Sequence, residues 1–146
     1  MQEDHLVSKK QSSRQSELSK PIGITGIHHH SVVSTNLEKA RCFYTGVLEM
    51  DEVAYPSTFK FEVTWYKLGD QQLHIILRKE PDAVSPRHIA LFVKDCKAAR
   101  TALAKKGVSI EETVKIPGAD RFFICDPDGN RIELIEWKIP WGEGPM

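Results

Sequence analysis

The feature that most constrains the fold of this 146-residue chain is an internal repeat. When the chain is shifted by 59 residues, His29 falls on His88 and His74 falls on Glu133. Each copy carries the hydrophobic pattern of one strand, one helix and three further strands. A match at one fixed period indicates that the chain is built from two equivalent modules.

Both copies contain a signal for the start of a helix. Asn36 precedes residues 37–47, where apolar side chains recur at helical spacing, and Asp95 precedes a second helix over residues 96–106. Gly107 follows the second helix and is a typical helix terminator. Because the shift places Asn36 on Asp95, the two predicted helices begin at the same point of the repeat.

Strand patterns surround both helices, and a turn of sequence DPDGN at residues 126–130 predicts a hairpin near the end of the chain. We predict one domain over residues 22–138, with module one at 22–80 and module two at 86–138. The polar residues 1–21 are predicted to be a disordered tail, and residues 139–146 a second tail. The predicted strands cover residues 24–34, 50–54, 59–68, 72–78, 87–93, 108–115, 122–125 and 132–137.

Four polar side chains occupy matching positions in the first and last strands of the two copies: His29, His74, His88 and Glu133. Modules related by a pseudo-two-fold axis would bring them together. Three imidazoles and one carboxylate suit a divalent Zn, Fe, Ni, Co or Mn ion. A carboxylate within an apolar strand also costs several kcal/mol unless it is paired or bound to a metal. The alternative is a set of separately hydrogen-bonded structural residues. For His74 there is a further alternative, in which it hydrogen-bonds to a ligand residue and does not contact the ion.

Composition excludes several other classes of function. The 20 basic and 20 acidic residues cancel, so no charge pattern points to nucleic acid or to an anionic membrane. No long apolar run or secretory pattern is present. Cys42, Cys96 and Cys125 are odd in number and scattered, which favours reduced thiols and a cytoplasmic location.

The chain resembles the vicinal oxygen chelate superfamily, which includes glyoxalase I, fosfomycin-resistance thiol transferases, bleomycin-resistance proteins, extradiol dioxygenases and methylmalonyl-CoA epimerase. The resemblance covers about residues 24–137 and implies an α+β fold. In that fold, two βαβββ modules form a curved, cup-shaped, eight-stranded mixed sheet with the helices outside. It also implies a homodimer. The motifs that carry it are IHHHSVVSTNLEKARCFYTGVLEM, LGDQQLHII, RHIALFVKD and DPDGNRIEL.

The resemblance places metal ligands at His29, His88 and Glu133, and makes Glu133 the candidate catalytic residue. At the fourth ligand position, where lyases and epimerases often have Glu or Gln, this chain has His74. The implied function is a metal-dependent enzyme whose ion binds a small substrate through adjacent oxygens, with Lewis-acid chemistry of the lyase or isomerase type. The alternatives are an extradiol-type Fe(II) dioxygenase and a non-catalytic small-molecule-binding protein like the bleomycin-resistance members.

Other polar residues receive a structural interpretation. His28 and His30 have no partner in the repeat, so we interpret them as hydrogen-bonded structural residues. Arg131 is predicted to form a salt bridge at the rim of the site. Glu136 alternates away from Glu133 along the strand and is predicted to be solvated.

The aromatic residues have two interpretations each. Trp65, Phe61 and Phe123 fit either core packing or a pocket wall. Trp141, in the C-terminal tail, fits either a cover over the pocket mouth or a dimer surface.

Overall fold

The computed structural model describes residues 21–140. The two predicted tails therefore lie outside the described part of the chain, apart from their innermost residues. Within residues 21–140, no helix is both long enough and apolar enough to cross a membrane.

Module one is a four-stranded mixed sheet with one helical segment. Its strands lie in the order β1-β4-β3-β2, with β1 and β4 parallel and the other pairs antiparallel. The elements are β1 (His29–Ser34), α1 (Leu37–Arg41), a π-helical segment (Cys42–Val47), β2 (Glu52–Val53), β3 (Val63–Leu68) and β4 (Gln71–Leu77).

Module two repeats this arrangement. Its strand order is β5-β8-β7-β6, again with the first and last strands parallel. The elements are β5 (His88–Phe92), α2 (Cys96–Lys105), β6 (Glu111–Glu112), β7 (Ala119–Cys125) and β8 (Arg131–Trp137). The predicted α+β fold of two βαβββ modules is confirmed, with the eight strands arranged as two four-stranded sheets.

Alternation along the strands separates a packed face from a polar face. Leu73 and Ile75 on β4, and Ile132 and Leu134 on β8, lie in one apolar cluster that also contains helix side chains of both modules. Residues between them point to the opposite face of each sheet. The predicted site residues all lie on those opposite faces.

The two helices begin as predicted and end differently. The side chains of Asn36 and Asp95 accept hydrogen bonds from the N–H groups of Lys39 and Ala98, at 3.0 and 2.9 Å. The second helix ends at Lys105, and Gly107, with φ of 79°, follows its cap residue Lys106, as expected for a glycine terminator.

The first helix was predicted to stay regular to residue 47, but it widens into the π-helical segment at Cys42. There the N–H of Leu48 donates to the carbonyl of Phe43, five residues earlier, at 2.9 Å. The carbonyls of Gly46 and Val47 at the widened end accept from Lys106 Nζ, at 3.2 and 3.0 Å. A contact from the other module thus satisfies groups that a regular helix end would leave to water.

Several predicted strands are shorter in the structure because their partners are short. Residues 24–28 were predicted to extend β1, but β1 pairs only with β4, which begins at Gln71. The predicted strands at 50–54 and 108–115 reduce to two paired residues each, β2 and β6.

The DPDGN turn joins the two modules. Tyr44 Oη donates to Asp126 Oδ2 at 2.7 Å, and Asn130 Nδ2 donates to the carbonyl of Val33 at 2.8 Å. The N–H and the hydroxyl of Thr35 both donate to Asp128 Oδ1, at 2.9 and 2.5 Å. The turn between the last two strands of module two therefore fixes where the first strand and helix of module one lie.

Candidate metal site

His29 and His74 lie on neighbouring strands and face the same side of the module-one sheet. In the register of β1 and β4, His29 is opposite Gln72 and His74 is opposite Ser31. The two imidazole rings stack with centroids 4.1 Å apart and planes at 15°. The structure thus brings together the two module-one residues of the predicted ligand set.

The ring of His74 is enclosed between two other rings. On β3, Trp65 lies opposite His74, and its indole stacks on the imidazole with centroids 4.0 Å apart and planes at 1°. His74 Nε2 is 2.9 Å from Gln72 Oε1, and because an amide oxygen only accepts, Nε2 carries the proton. Burial, followed by the neighbouring His29 and His28, lowers the pKa of His74 to about 4. His74 is therefore neutral near pH 7, with only Nδ1 left as a possible ligand atom.

In module two, His88 and Glu133 are in direct contact. His88 Nε2 is 3.0 Å from Glu133 Oε2, while Nδ1 is 2.8 Å from the carbonyl of Pro86. Since a carbonyl only accepts, Nδ1 carries a proton, and Nε2 either donates a second proton to the carboxylate or holds a lone pair beside it. A lone pair facing a carboxylate oxygen is stable only with a proton or a cation between them.

Arg121 holds the other carboxylate oxygen of Glu133. Its Nη1 is 3.1 Å from Glu133 Oε1, and its Nη2 donates to the carbonyl of Val114 at 3.0 Å. Only 8% of the Glu133 side chain is exposed, so this ion pair compensates a largely buried charge. Sequence reasoning missed Arg121. The available signal was that Arg121 lies two residues before Phe123 and therefore on the same face of β7. Phe123 lies opposite Glu133 in the β7–β8 register.

The four predicted ligands form two pairs and not one cluster. Among the described residues, the group in which three possible ligand atoms lie within 4.8 Å of one another is Cys96, Asp120 and Glu136. The His29–His74 pair of module one and the His88–Glu133 pair of module two are each only half of the predicted site. We call them the module-one pair and the module-two pair.

The Cys96 group is a structural cluster. Asp120 binds Arg100 through both oxygens at 2.8 Å, and Glu136 Oε2 accepts from the N–H of Cys96 at 3.0 Å, at the first turn of α2. The prediction that Glu136 is solvated is therefore wrong, because its carboxylate binds a free N–H at the start of the helix.

A cleft of about 660 Å³ lies between β1 and the beginnings of β5 and β8, beneath the linker between the modules. His30 and Arg87 line it, and burial followed by the charge of Arg87 lowers the pKa of His30.

Arg131, at the edge of the cleft, binds Glu111 at 2.9 Å, which matches the predicted rim salt bridge. Its guanidinium also lies 3.8 Å above the ring of Phe123. Of the module-two pair, His88 also lines this cleft.

His28 is closer to the site than the sequence indicated. Its Nδ1 is 2.8 Å from His29 Nδ1, so one ring donates to the other and the bond orients His29. The predicted hydrogen-bonded role of His28 is present, but its partner is a predicted ligand.

Comparisons with known proteins agree with this architecture. The profile of the Glyoxalase/Bleomycin resistance protein/Dioxygenase superfamily matches residues 26–134. The Arabidopsis thaliana protein Glyoxylase I 4 is 24% identical over 129 residues, which is 81% of this chain and 74% of that protein.

Solved structures give the same result. The crystal structure of a glyoxalase family protein from Bacillus anthracis is 32% identical and superposes with a TM-score of 0.74, covering 79% of this chain and 97% of that one. The fosfomycin resistance protein FosX from Listeria monocytogenes, in complex with Mn(II) and 1S,2S-dihydroxypropylphosphonic acid, has the same fold. It is 15% identical, with a TM-score of 0.70 over 80% of this chain and 95% of that one. With the profile matched across both modules, the chain belongs to the Glyoxalase/Bleomycin resistance protein/Dioxygenase superfamily.

Proposed function

We propose that this protein is a divalent-metal-dependent enzyme that binds a small substrate through two adjacent oxygens. The proposed ligands are His29, His88 and Glu133, with His74 stacked against His29. The observation that carries the proposal is the 3.0 Å contact between His88 Nε2 and the buried carboxylate of Glu133, in which a cation bound by both atoms would take the place of a proton.

The donor atoms fit a metal ion. Two ligand atoms that each lie about 2.1 Å from one ion are about 3.0 Å apart when they subtend a right angle at it. His88 Nε2 and Glu133 Oε2 are 3.0 Å apart. The second nitrogen of His88 bonds to the carbonyl of Pro86 at 2.8 Å, an arrangement typical of metal-bound histidines. FosX, which shares the fold, was crystallised with Mn(II).

Residues around the ligands hold them in the required states. Pro86 fixes the tautomer of His88, and Arg121 holds one oxygen of Glu133 so that the other faces His88. The stack of Trp65 and His74 limits the rotation of the His29 ring. Each of these contacts reduces the freedom that the ligands would lose on binding an ion.

A divalent ion bound there supplies Lewis-acid stabilisation of charge that develops on the two substrate oxygens. The hydrogen bond from His74 Nε2 to Gln72 favours a three-residue ligand set. Two histidines and one carboxylate are also the ligand set of non-haem Fe(II) oxygenases, so an extradiol-type dioxygenase is the second candidate.

We further propose that the two pairs complete one site between two copies of the chain. His29 is exposed, and so is Phe92, which lies on the same strand face as His88 with 67% of its surface accessible. A homodimer that joins the module-one pair of one copy to the module-two pair of the other would supply all three ligands. It would also cover this exposed apolar surface.

Metal content tests the function. We expect about one divalent ion per chain in protein purified without chelator, measured by elemental analysis. Glu133→Gln should lose nearly all of it, whereas His30→Ala, on the opposite face of β1, should retain it. Equal metal content in both variants, or none in the wild type, would refute the metal site.

A mixing experiment tests the shared site. His29→Ala and Glu133→Gln are each expected to bind no ion as homodimers. Heterodimers of the two should recover one ion per dimer, because one of their two sites then has all its native ligands. Native mass spectrometry counts the ions, and heterodimers without a recovered ion would place each site within a single chain.

A further inference from the structure

Module one carries a group of aromatic side chains beside the predicted ligands. The rings of Phe59 and Phe61 stack with centroids 4.8 Å apart, and Phe59 meets Trp65 edge-on at 5.5 Å. Tyr55 lies 6.3 Å from Phe59 and 6.4 Å from Trp65, between ring centroids. We call these four residues the aromatic wall.

The aromatic wall is continuous with the module-one pair. Trp65 stacks on His74 at 4.0 Å, and His74 stacks on His29 at 4.1 Å, between ring centroids. One row of rings therefore runs from a proposed metal ligand to the loop that precedes β3. A molecule held at His29 that extends over His74 would reach Trp65, the inner end of this apolar surface.

The outer part of the wall is open to solvent. Phe61 is 55% exposed and Tyr55 is 40% exposed, although burial of such side chains is favourable. The fold does not require aromatic residues in this loop. In the strand registers, Trp65 on β3 matches Phe123 on β7, so Tyr55, Phe59 and Phe61 correspond to Thr113, Pro117 and Ala119, and module two closes its loop without a ring.

We propose that the aromatic wall binds an apolar ring on the substrate whose adjacent oxygens bind the metal ion. The substrate class is then an α-hydroxy or α-keto compound with an aromatic substituent. This inference rests on the proposed function for the position of the oxygens. The stacking surface itself is a property of residues 55–65 with or without an ion.

The test uses two probes that differ only in the substituent. Mandelate and lactate carry the same α-hydroxycarboxylate, with a phenyl group in one and a methyl group in the other. Dissociation constants are measured by NMR titration of the full-length protein, with and without Mn(II). We expect mandelate to bind the wild type about tenfold more tightly than lactate, because the phenyl ring buries more apolar surface.

Phe61→Ala should reduce this preference to about twofold or less and leave lactate binding unchanged. The matched control is Val114→Ala, which removes a 76% exposed apolar side chain from the corresponding loop of module two and should keep the preference. Equal affinities in the wild type, or a preference that survives in Phe61→Ala, would overturn the proposal.

Two other outcomes are distinguishable. If Phe61→Ala alters only the monomer–dimer equilibrium, measured by sedimentation, the wall is an interface between copies and the proposal fails. If Mn(II) changes the affinity of neither acid, the proposed metal-dependent function fails, while the ratio of the two acids still decides whether the wall binds a ring.

Discussion

The two modules have the same order of strands and the same position of the helix, yet the central residues of their last strands are held in different ways. His74 in module one is a neutral side chain packed between two rings. Glu133 in module two is a carboxylate held by Arg121 and His88. The backbone therefore accommodates either an aromatic stack or an ionic network, and the neighbouring strand decides which residue is tolerated.

The contact between the modules is also unequal. Module one contributes a π-helical end and the strand end at Val33 and Thr35, whereas module two contributes its last turn and Lys106. Among residues 21–140, the corresponding turn of module one, which includes Gly69 and Asp70, makes no side-chain hydrogen bond to module two. The duplicated sequence has thus specialised one turn for holding the modules together.

The largest expected effect on stability comes from giving module one the carboxylate that module two has at the centre of its last strand. His74→Glu would place a carboxylate against Trp65 in a position that is 7% exposed and has no arginine equivalent to Arg121. We expect the free energy of unfolding to fall by about 3 kcal/mol. Urea denaturation measures it, with the neutral His74→Gln as control. A loss in His74→Glu no greater than in His74→Gln would contradict the comparison.

The next effect concerns the partner of Glu133. Arg121→Met leaves a carboxylate that is 8% exposed without its ion pair, and we expect a loss of about 2 kcal/mol. The control is Arg131→Met, which breaks an ion pair to Glu111, whose side chain is 61% exposed, and should cost about 1 kcal/mol or less. Thermal unfolding compares the two, and equal losses would remove the special role of Arg121.

A pair of tyrosines sharpens the comparison at the module contact. Both Tyr44 and Tyr66 are buried, at 1% and 0% exposure. Tyr44 donates to Asp126, whereas the hydroxyl of Tyr66 has no hydrogen-bond partner among the described residues. We expect Tyr44→Phe to cost about 1.5 kcal/mol and Tyr66→Phe to cost nothing or to stabilise. Chemical denaturation gives both values, and the reverse order would refute this account of the contact.

The smallest effect is a pH dependence at the same contact. Burial alone would raise the pKa of Asp128, but hydrogen bonds from the hydroxyl and the N–H of Thr35 outweigh it and lower the pKa below the ordinary 3.8. As pH falls, Asp128 therefore takes up a proton in the unfolded chain before it does so in the folded chain. Its contribution to the free energy of unfolding is full above about pH 4 and is lost below it. Thermal midpoints from pH 5 to 2 should fall less steeply in Asp128→Asn than in the wild type. Identical slopes would show that the Thr35 contact is not coupled to folding.

Much of the architecture follows from the sequence alone. The 59-residue repeat, the helix caps at Asn36 and Asp95 and the alternation in the strands predict two modules with the four polar residues on one face of each sheet. These features are local, because cap chemistry and side-chain alternation depend only on residues close along the chain. The superfamily was recognisable from the same motifs.

Tertiary structure decided how those residues are supported and combined. Strand register placed Trp65 beside His74, Arg121 beside Glu133 and the Cys96 backbone beside Glu136, and no local pattern specifies which strand becomes a neighbour. It also left the predicted ligands as two separate pairs. Periodicity determines which side of a strand a residue occupies, whereas the distance between two strands depends on how whole modules pack.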